Sequence, residues 1–127
     1  DTTFGTGGAV NTLIGSECIA NDLVLQPDGK SVVVGYAIVS GQSQFAVARY
    51  TTSGLLDTGT FGAGLGYVTT PLANGATAYA VGLQSDGKII VAGGATVNGQ
   101  AQVAVARYTT AGLPDLTFGT GGSTITP

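Results

Sequence analysis

Hydrophobic positions along this chain fall in short runs separated by glycine and polar residues, the signature of strands. Ile19 to Gln26 forms one run, closed by Pro27-Asp28-Gly29-Lys30. Ser31 to Ala37 is an almost unbroken apolar run, and Phe-Ala-Val-Ala-Arg-Tyr at Phe45 to Tyr50 is a third. The same succession returns 58 positions later as Thr77 to Gln84, Ile89 to Ala95 and Val103 to Tyr108. A continuous apolar run marks a strand covered on both faces, whereas a solvated sheet would alternate. No segment sustains a 3.6-residue period, so almost no helix is expected.

Turn chemistry divides the runs. Proline presets φ and glycine accepts a positive φ, which makes Asp28-Gly29 and Asp86-Gly87 hairpin tips. Ile38 to Gln44 and Thr96 to Gln102, rich in Gly, Ser, Asn and Gln, are expected as surface loops. A glycine-rich segment, Asp-Thr-Thr-Phe-Gly-Thr-Gly-Gly at Asp1 to Gly8, leads into an expected short strand at Ala9 to Ile14. It recurs at Asp57 to Gly62 with one extra residue and at Asp115 to Gly122 almost unchanged. The expected fold is therefore all-β: two four-stranded antiparallel blade-like repeats of a β-propeller type, plus a surplus C-terminal strand segment. The units are 1–56, 57–114 and a partial third, 115–127.

Composition changes the picture in one respect. Charged residues make up 9% of the chain, against about 25% in ordinary soluble domains, and mean hydropathy is +0.36. Little of this surface is suited to a lone monomer, and two repeats are fewer than the three or so that usually bury a continuous core. The expected partner is the chain itself, as homo-oligomer or polymer. No apolar run approaches the ~18 residues of a membrane span, which argues against membrane insertion. Net charge is −3, and the four basic residues, Lys30, Arg49, Lys88 and Arg107, all sit at repeat-equivalent positions. Nucleic acid is excluded as a partner because phosphate neutralisation needs Lys and Arg clusters. The single cysteine forms no internal disulfide, and the absence of histidine removes Ser-His-Asp and Cys-His catalysis and the usual nitrogen-ligated metal sites. Gly-Thr-Gly-Gly lacks the spacing of a phosphate loop. The expectation is no catalytic residue, no metal ligand and no cofactor, hence no enzyme. A start at Asp1 without methionine is read as a mature, processed or trimmed chain, secreted.

The pattern D-x-x-F-G-x-G-G, then L-Q-P-D-G-K-x-V-V-x-G, then F-A-x-A-R-Y resembles the delta-60 repeat, a propeller-like repeat of bacterial secreted and surface proteins. The resemblance covers nearly the whole chain and implies a propeller-type fold in a non-catalytic, extracellular or cell-surface setting.

Within that scaffold, Phe4, Phe61 and Phe118 are read as aromatic plugs under the glycine-rich loops. Arg49 and Arg107 are expected to pair with Asp57 and Asp115, while Lys30 and Lys88 are placed on solvated hairpin tips. The repeats disagree at Glu17, Cys18 and Asp22, which stand against Gly75, Ala76 and Ala80. Cys18 is read as a small buried apolar residue. Asp22, placed on one face with Ala20 and Val24, is assigned to a solvent-facing blade edge or a partner contact. The D-x-x-F-G segment occurs three times but the central strands twice. The extra copy, Asp115 to Pro127, is therefore expected to take the place of Asp1 to Leu13 in a neighbouring chain or to lie beside it as an added strand, giving a potentially fibrous assembly. The candidate assembly residues are Asp1, Phe4, Asp22, Asp115, Phe118, Thr124 and Ile125. The alternative is a two-blade, lectin-like binding module closing a ring, or a piece of a longer propeller. With no tryptophan in the chain, carbohydrate recognition rests on Tyr36, Tyr67 and Tyr79, the aromatics unmatched between repeats.

Overall fold

A computed structural model describes residues 1–127. Strands β1 (Cys18–Leu25), β2 (Ser31–Val39), β3 (Gln42–Tyr50) and β4 (Tyr67–Thr70) form one antiparallel sheet in chain order. Strands β5 (Ala76–Leu83), β6 (Ile89–Val97), β7 (Gln100–Tyr108) and β8 (Ser123–Thr126) form the second. The all-β, two-blade architecture is as expected, and the only helical element is a single 3-10 turn at Gly62–Gly64. The blades are offset from the sequence repeat, because each fourth strand comes from the glycine-rich segment that opens the following repeat.

Each blade begins with a hairpin whose tip is built by Asp28 or Asp86, which accepts the backbone N–H of Lys30 or Lys88. The second connection differs from expectation. Ile38 to Gln44 is no loop: β2 runs to Val39 and β3 starts at Gln42, joined by Ser40-Gly41 alone. Ser40 and Gly41 have φ of 52° and 80°, and Asn98 and Gly99 have 50° and 81°. Two successive positive φ values define a type I′ turn, whose twist matches that of the strands it joins.

The blades pack face to face, with β5 lying against β1, β2 and β3. Val32, Val34, Phe45 and Val47 of the first blade meet Ile89, Val91, Ala104, Ala106 and Tyr108 of the second in one core. We call this contact the seam. The outward surface of blade 1 is the head face and that of blade 2 the tail face. Paired strands put directly opposed residues on the same side, so register assigns Val33, Ala46 and Ala48 to the head face and Ile90, Ala92, Val103 and Val105 to the tail face. The apolar run Ile89 to Ala92 is thus covered on one side only. Ile89 is fully buried in the seam, whereas Ile90 is half-buried on the tail face.

One strand expectation for the glycine-rich segments is corrected. Ala9 to Ile14 forms no strand, although the equivalent positions form β4 and β8. Those two have β3 and β7 beside them, and a strand without a ladder partner leaves its N–H and C=O groups unpaired. Conversely, Ser123–Thr126 pairs antiparallel with β7 of its own blade, Val103 opposite Thr126 through Ala106 opposite Ser123. Within one chain, then, the Asp115 to Pro127 strand is seated on the hairpin that precedes it and not beside Asp1 to Leu13. The copy left without a sheet is the first.

Candidate functional site

The seam is held by a staple built from the second D-x-x-F-G copy. After the Thr51–Gly54 turn, the Asp57 N–H donates to the Arg49 carbonyl at 2.9 Å, which folds the carboxylate onto β3. Asp57 Oδ2 then accepts from Arg49 Nε at 2.8 Å and Lys30 Nζ at 3.1 Å. Four residues on, Phe61 crosses into blade 2 and is fully buried on Gly112, where a Cβ would lie 2.5 Å from the ring. Arg49 joins both ends. Its guanidinium carbon lies 4.6 Å from the Phe61 centroid, and Nη1 donates to the Thr110 carbonyl of blade 2 at 2.8 Å. Burial alone would raise the Asp57 pKa, but hydrogen bonds from Lys30, Thr60 and Arg49 outweigh it and hold the carboxyl below its ordinary value.

A second link crosses the seam at β1. Asn21 Nδ2 donates to the Ala78 carbonyl at 2.8 Å, and Asp22 Oδ2 accepts the Val81 N–H at 3.0 Å. A β-bulge between Ala20 and Asp22 makes this possible, since it turns Asp22 to the opposite face from Ala20. Asp22 therefore shares no face with Ala20, and its carboxylate ties the two blades within one chain.

At the tail end the staple is half complete. Asp115 Oδ2 accepts from Arg107 Nε at 2.7 Å and Lys88 Nζ at 2.9 Å, and Arg107 lies 4.8 Å from the Phe118 centroid. Hydrogen bonds from Thr117, then Lys88 and Arg107, hold the Asp115 carboxyl well below the usual carboxylate range. No glycine seat covers Phe118, which is half-buried where Phe61 is fully buried, and the Arg107 side chain is 19% exposed against 8% for Arg49.

The head end shows the other half. Phe4 rests against Gly54, and the Gly5 N–H donates to the Ser53 carbonyl at 2.8 Å, as the Gly62 N–H donates to Ala111 at 2.9 Å. Asp1 accepts from the N–H and hydroxyl of Thr3 as Asp115 does from Thr117, but no cation reaches it. With Ala9, Val10 and Thr12, Phe4 roofs part of the head face and leaves an apolar groove of about 470 Å³ over Leu23, Val33 and Ala46.

The expected Arg–Asp pairs are present, and Phe61 is the expected plug. Lys30 and Lys88 are no idle tips, since both join the aspartates. Cys18 is half-buried and hydrogen-bonded: it accepts the Ile14 N–H and donates to the Thr12 carbonyl. Thr124 stands exposed on the tail-face side of β8, whereas Ile125 packs on the seam core. The three unmatched tyrosines share no platform. Tyr36 donates to Glu17 Oε1, a hydrogen bond that raises its pKa. Tyr67 packs in the head-face cluster, and Tyr79 is 63% exposed beside Val103 on the tail face. Sequence reading missed Asn21, although its mismatch with Tyr79 carried the same signal that drew attention to Asp22.

Compared with protein families, residues 26–59 and 84–118, together more than half of the chain, match the model described as "Domain of unknown function (DUF5122) beta-propeller". No match was found among curated proteins or among solved structures.

Proposed function

The chain belongs to this DUF5122 β-propeller family, and from that premise we propose that it is a non-catalytic, extracellular structural unit that assembles by packing blades face to face. One observation carries the reading: the Arg–Asp–Phe staple is complete at the seam and cut in half at both outer faces. The tail face offers Phe118 without a seat, and the head face is a seat filled by a segment detached from any sheet. Closed propellers use roughly four to eight blades, so two faces of this kind call for further blades.

The non-catalytic part rests on how the acidic groups are used. Asp57 and Asp115 neutralise Arg and Lys, Glu17 binds Tyr36, and Asp28 and Asp86 close their own turns. Each of these is used in a turn, a hydrogen bond or an ion pair, and the chain has no histidine to act as general base beside it. The extracellular setting rests on the resemblance to repeats of secreted and surface proteins. Because β8 stays on its own blade, a closed ring is favoured over a strand-exchanged fibre, its other blades supplied by further copies of the chain.

Electron microscopy of the concentrated chain tests this. Rings are expected. Open filaments would mean that the same face contact fails to close, and isolated two-blade particles alone would remove the reading.

A further inference from the structure

Register and repeat together say what fits the head face. In the seam, blade 1 presents Val32, Val34, Phe45 and Val47, and the tail face presents their repeat equivalents Ile90, Ala92, Val103 and Val105. Blade 2 answers in the seam with Val81, Leu83, Val91, Ala104 and Ala106, and the head face carries the equivalents Leu23, Leu25, Val33, Ala46 and Ala48. Leu23 and Leu25 are 53% and 65% exposed, whereas Val81 and Leu83 pack on the seam core. A tail face therefore meets a head face as blade 1 meets blade 2, with Arg107 and Phe118 in the roles of Arg49 and Phe61.

One obstacle stands in the way. In that joint Phe118 needs Gly54, its N–H neighbour Gly119 needs the Ser53 carbonyl, and Thr126 needs the Tyr50 hydroxyl, as Thr70 takes Tyr108 across the seam. All three places are held by the chain's own first segment: Phe4 on Gly54, the Gly5 N–H on Ser53, and Thr12, whose hydroxyl accepts from Tyr50 at 2.7 Å. Of the two near-identical segments, the last is anchored to its blade by two ion pairs and a four-residue ladder. The first has no ion pair and no ladder. The first is the one that yields.

We propose that Asp1 to Leu13 is a displaceable cap on the head face, and that the occupant it holds off is the tail face of a second copy of this chain. The proposal rests on the face-packing reading above. Capping lowers the apparent affinity of one copy for the next by the fraction of head faces left open. The joint is also weaker than the seam by construction. Tyr79 and Ala80 stand where Asn21 and Asp22 make the two cross-blade hydrogen bonds, and Val103 and Ala92 are smaller than Phe45 and Val34.

The test uses the 127-residue chain and three single substitutions, followed by sedimentation velocity across concentration. Phe4→Ala loosens the cap and is expected to lower the concentration of half-assembly by about tenfold or more, equivalent to ~1.4 kcal/mol. Phe118→Ala is expected to raise it. Gly54→Ala evicts Phe4 but also bars Phe118, since a Cβ there lies 3.0 Å from the Phe4 ring and φ is +81°, so it is expected to suppress assembly although the cap is gone. Should Phe4→Ala fail to fold, hydrogen exchange on the unmodified chain decides: on assembly the Gly5 amide should lose protection and the Gly119 amide gain it. Assembly indifferent to Phe4→Ala, or a Gly5 amide still protected in the assembled form, overturns the cap and leaves the face-packing reading standing. A chain that stays monomeric in every form overturns both.

Discussion

Arg49 and Phe61 stack with 4.6 Å between guanidinium carbon and ring centroid, and their main seats lie in different blades: Arg49 on Asp57 in blade 1, Phe61 on Gly112 in blade 2. The stack is therefore a joint between blades, and its strength depends on the carboxylate behind it. Asp57→Asn leaves Arg49, a buried residue, without its counter-charge. Loss of one partner of a buried pair typically costs about 3–5 kcal/mol. Urea unfolding should show a loss near that range, with a smaller one for Asp115→Asn because Arg107 is more exposed.

Acid should act through the same groups. The folded-state pKa of Asp57 lies below its ordinary value of 3.8 and that of Asp115 well below it. Their contribution is complete above the unfolded pKa and is lost as pH falls through the folded value. Stability should hold from neutral pH down to about pH 4 and decline below it, and Asp57→Asn should flatten the decline. A steady loss beginning near neutrality would count against the assignment.

Alkali tests the seam from the other side. Burial pushes the Tyr108 hydroxyl up to about 12, partly offset by its hydrogen bond with Thr70. The raised value means that the unfolded chain releases this proton first. Stability should therefore be unaffected below pH 10 and fall between pH 10 and 12. Tyr108→Phe should lose most of that dependence while costing about 1 kcal/mol at neutral pH for the missing hydrogen bond.

Adjacent isoleucines should part company. Ile89→Asp places an unpaired charge in the seam and should prevent folding. Ile90→Asp places it on the half-exposed tail face, so circular dichroism should remain native while association with a second copy is lost. If Ile90→Asp unfolds the chain, the tail face is not a free surface.

The missing cross-blade links can be supplied. Asp22→Ala should cost about 1 kcal/mol by orphaning the Val81 N–H. Tyr79→Asn with Ala80→Asp would instead give the tail face the pair that Asn21 and Asp22 provide at the seam, and should tighten self-association measured by sedimentation.

The sequence made the blade legible because its repeat is nearly exact where packing repeats. The Phe series, Arg49 with Asp57 and the Asp-Gly tips could all be placed from period and turn chemistry. Two kinds of feature were hidden. The Ser40-Gly41 turn was lost inside a polar stretch, although its twin Asn98-Gly99 is a strong hairpin signal. The bulge before Asp22 inverted the side of the sheet, which no period-two count reveals without the partner strand. The surplus segment was visible as a count of three against two, but which copy is left over depends on long-range pairing: Ser123–Thr126 has β7 beside it, whereas Ala9–Thr12 has no strand beside it.

The mass of the unmodified chain in solution tests the central claim, that both outer faces are blade seats. Native mass spectrometry across rising concentration should show complexes of about two to four copies, the number that makes a ring of four to eight blades. A monomer at every concentration, its tail and head faces left to water, would contradict it.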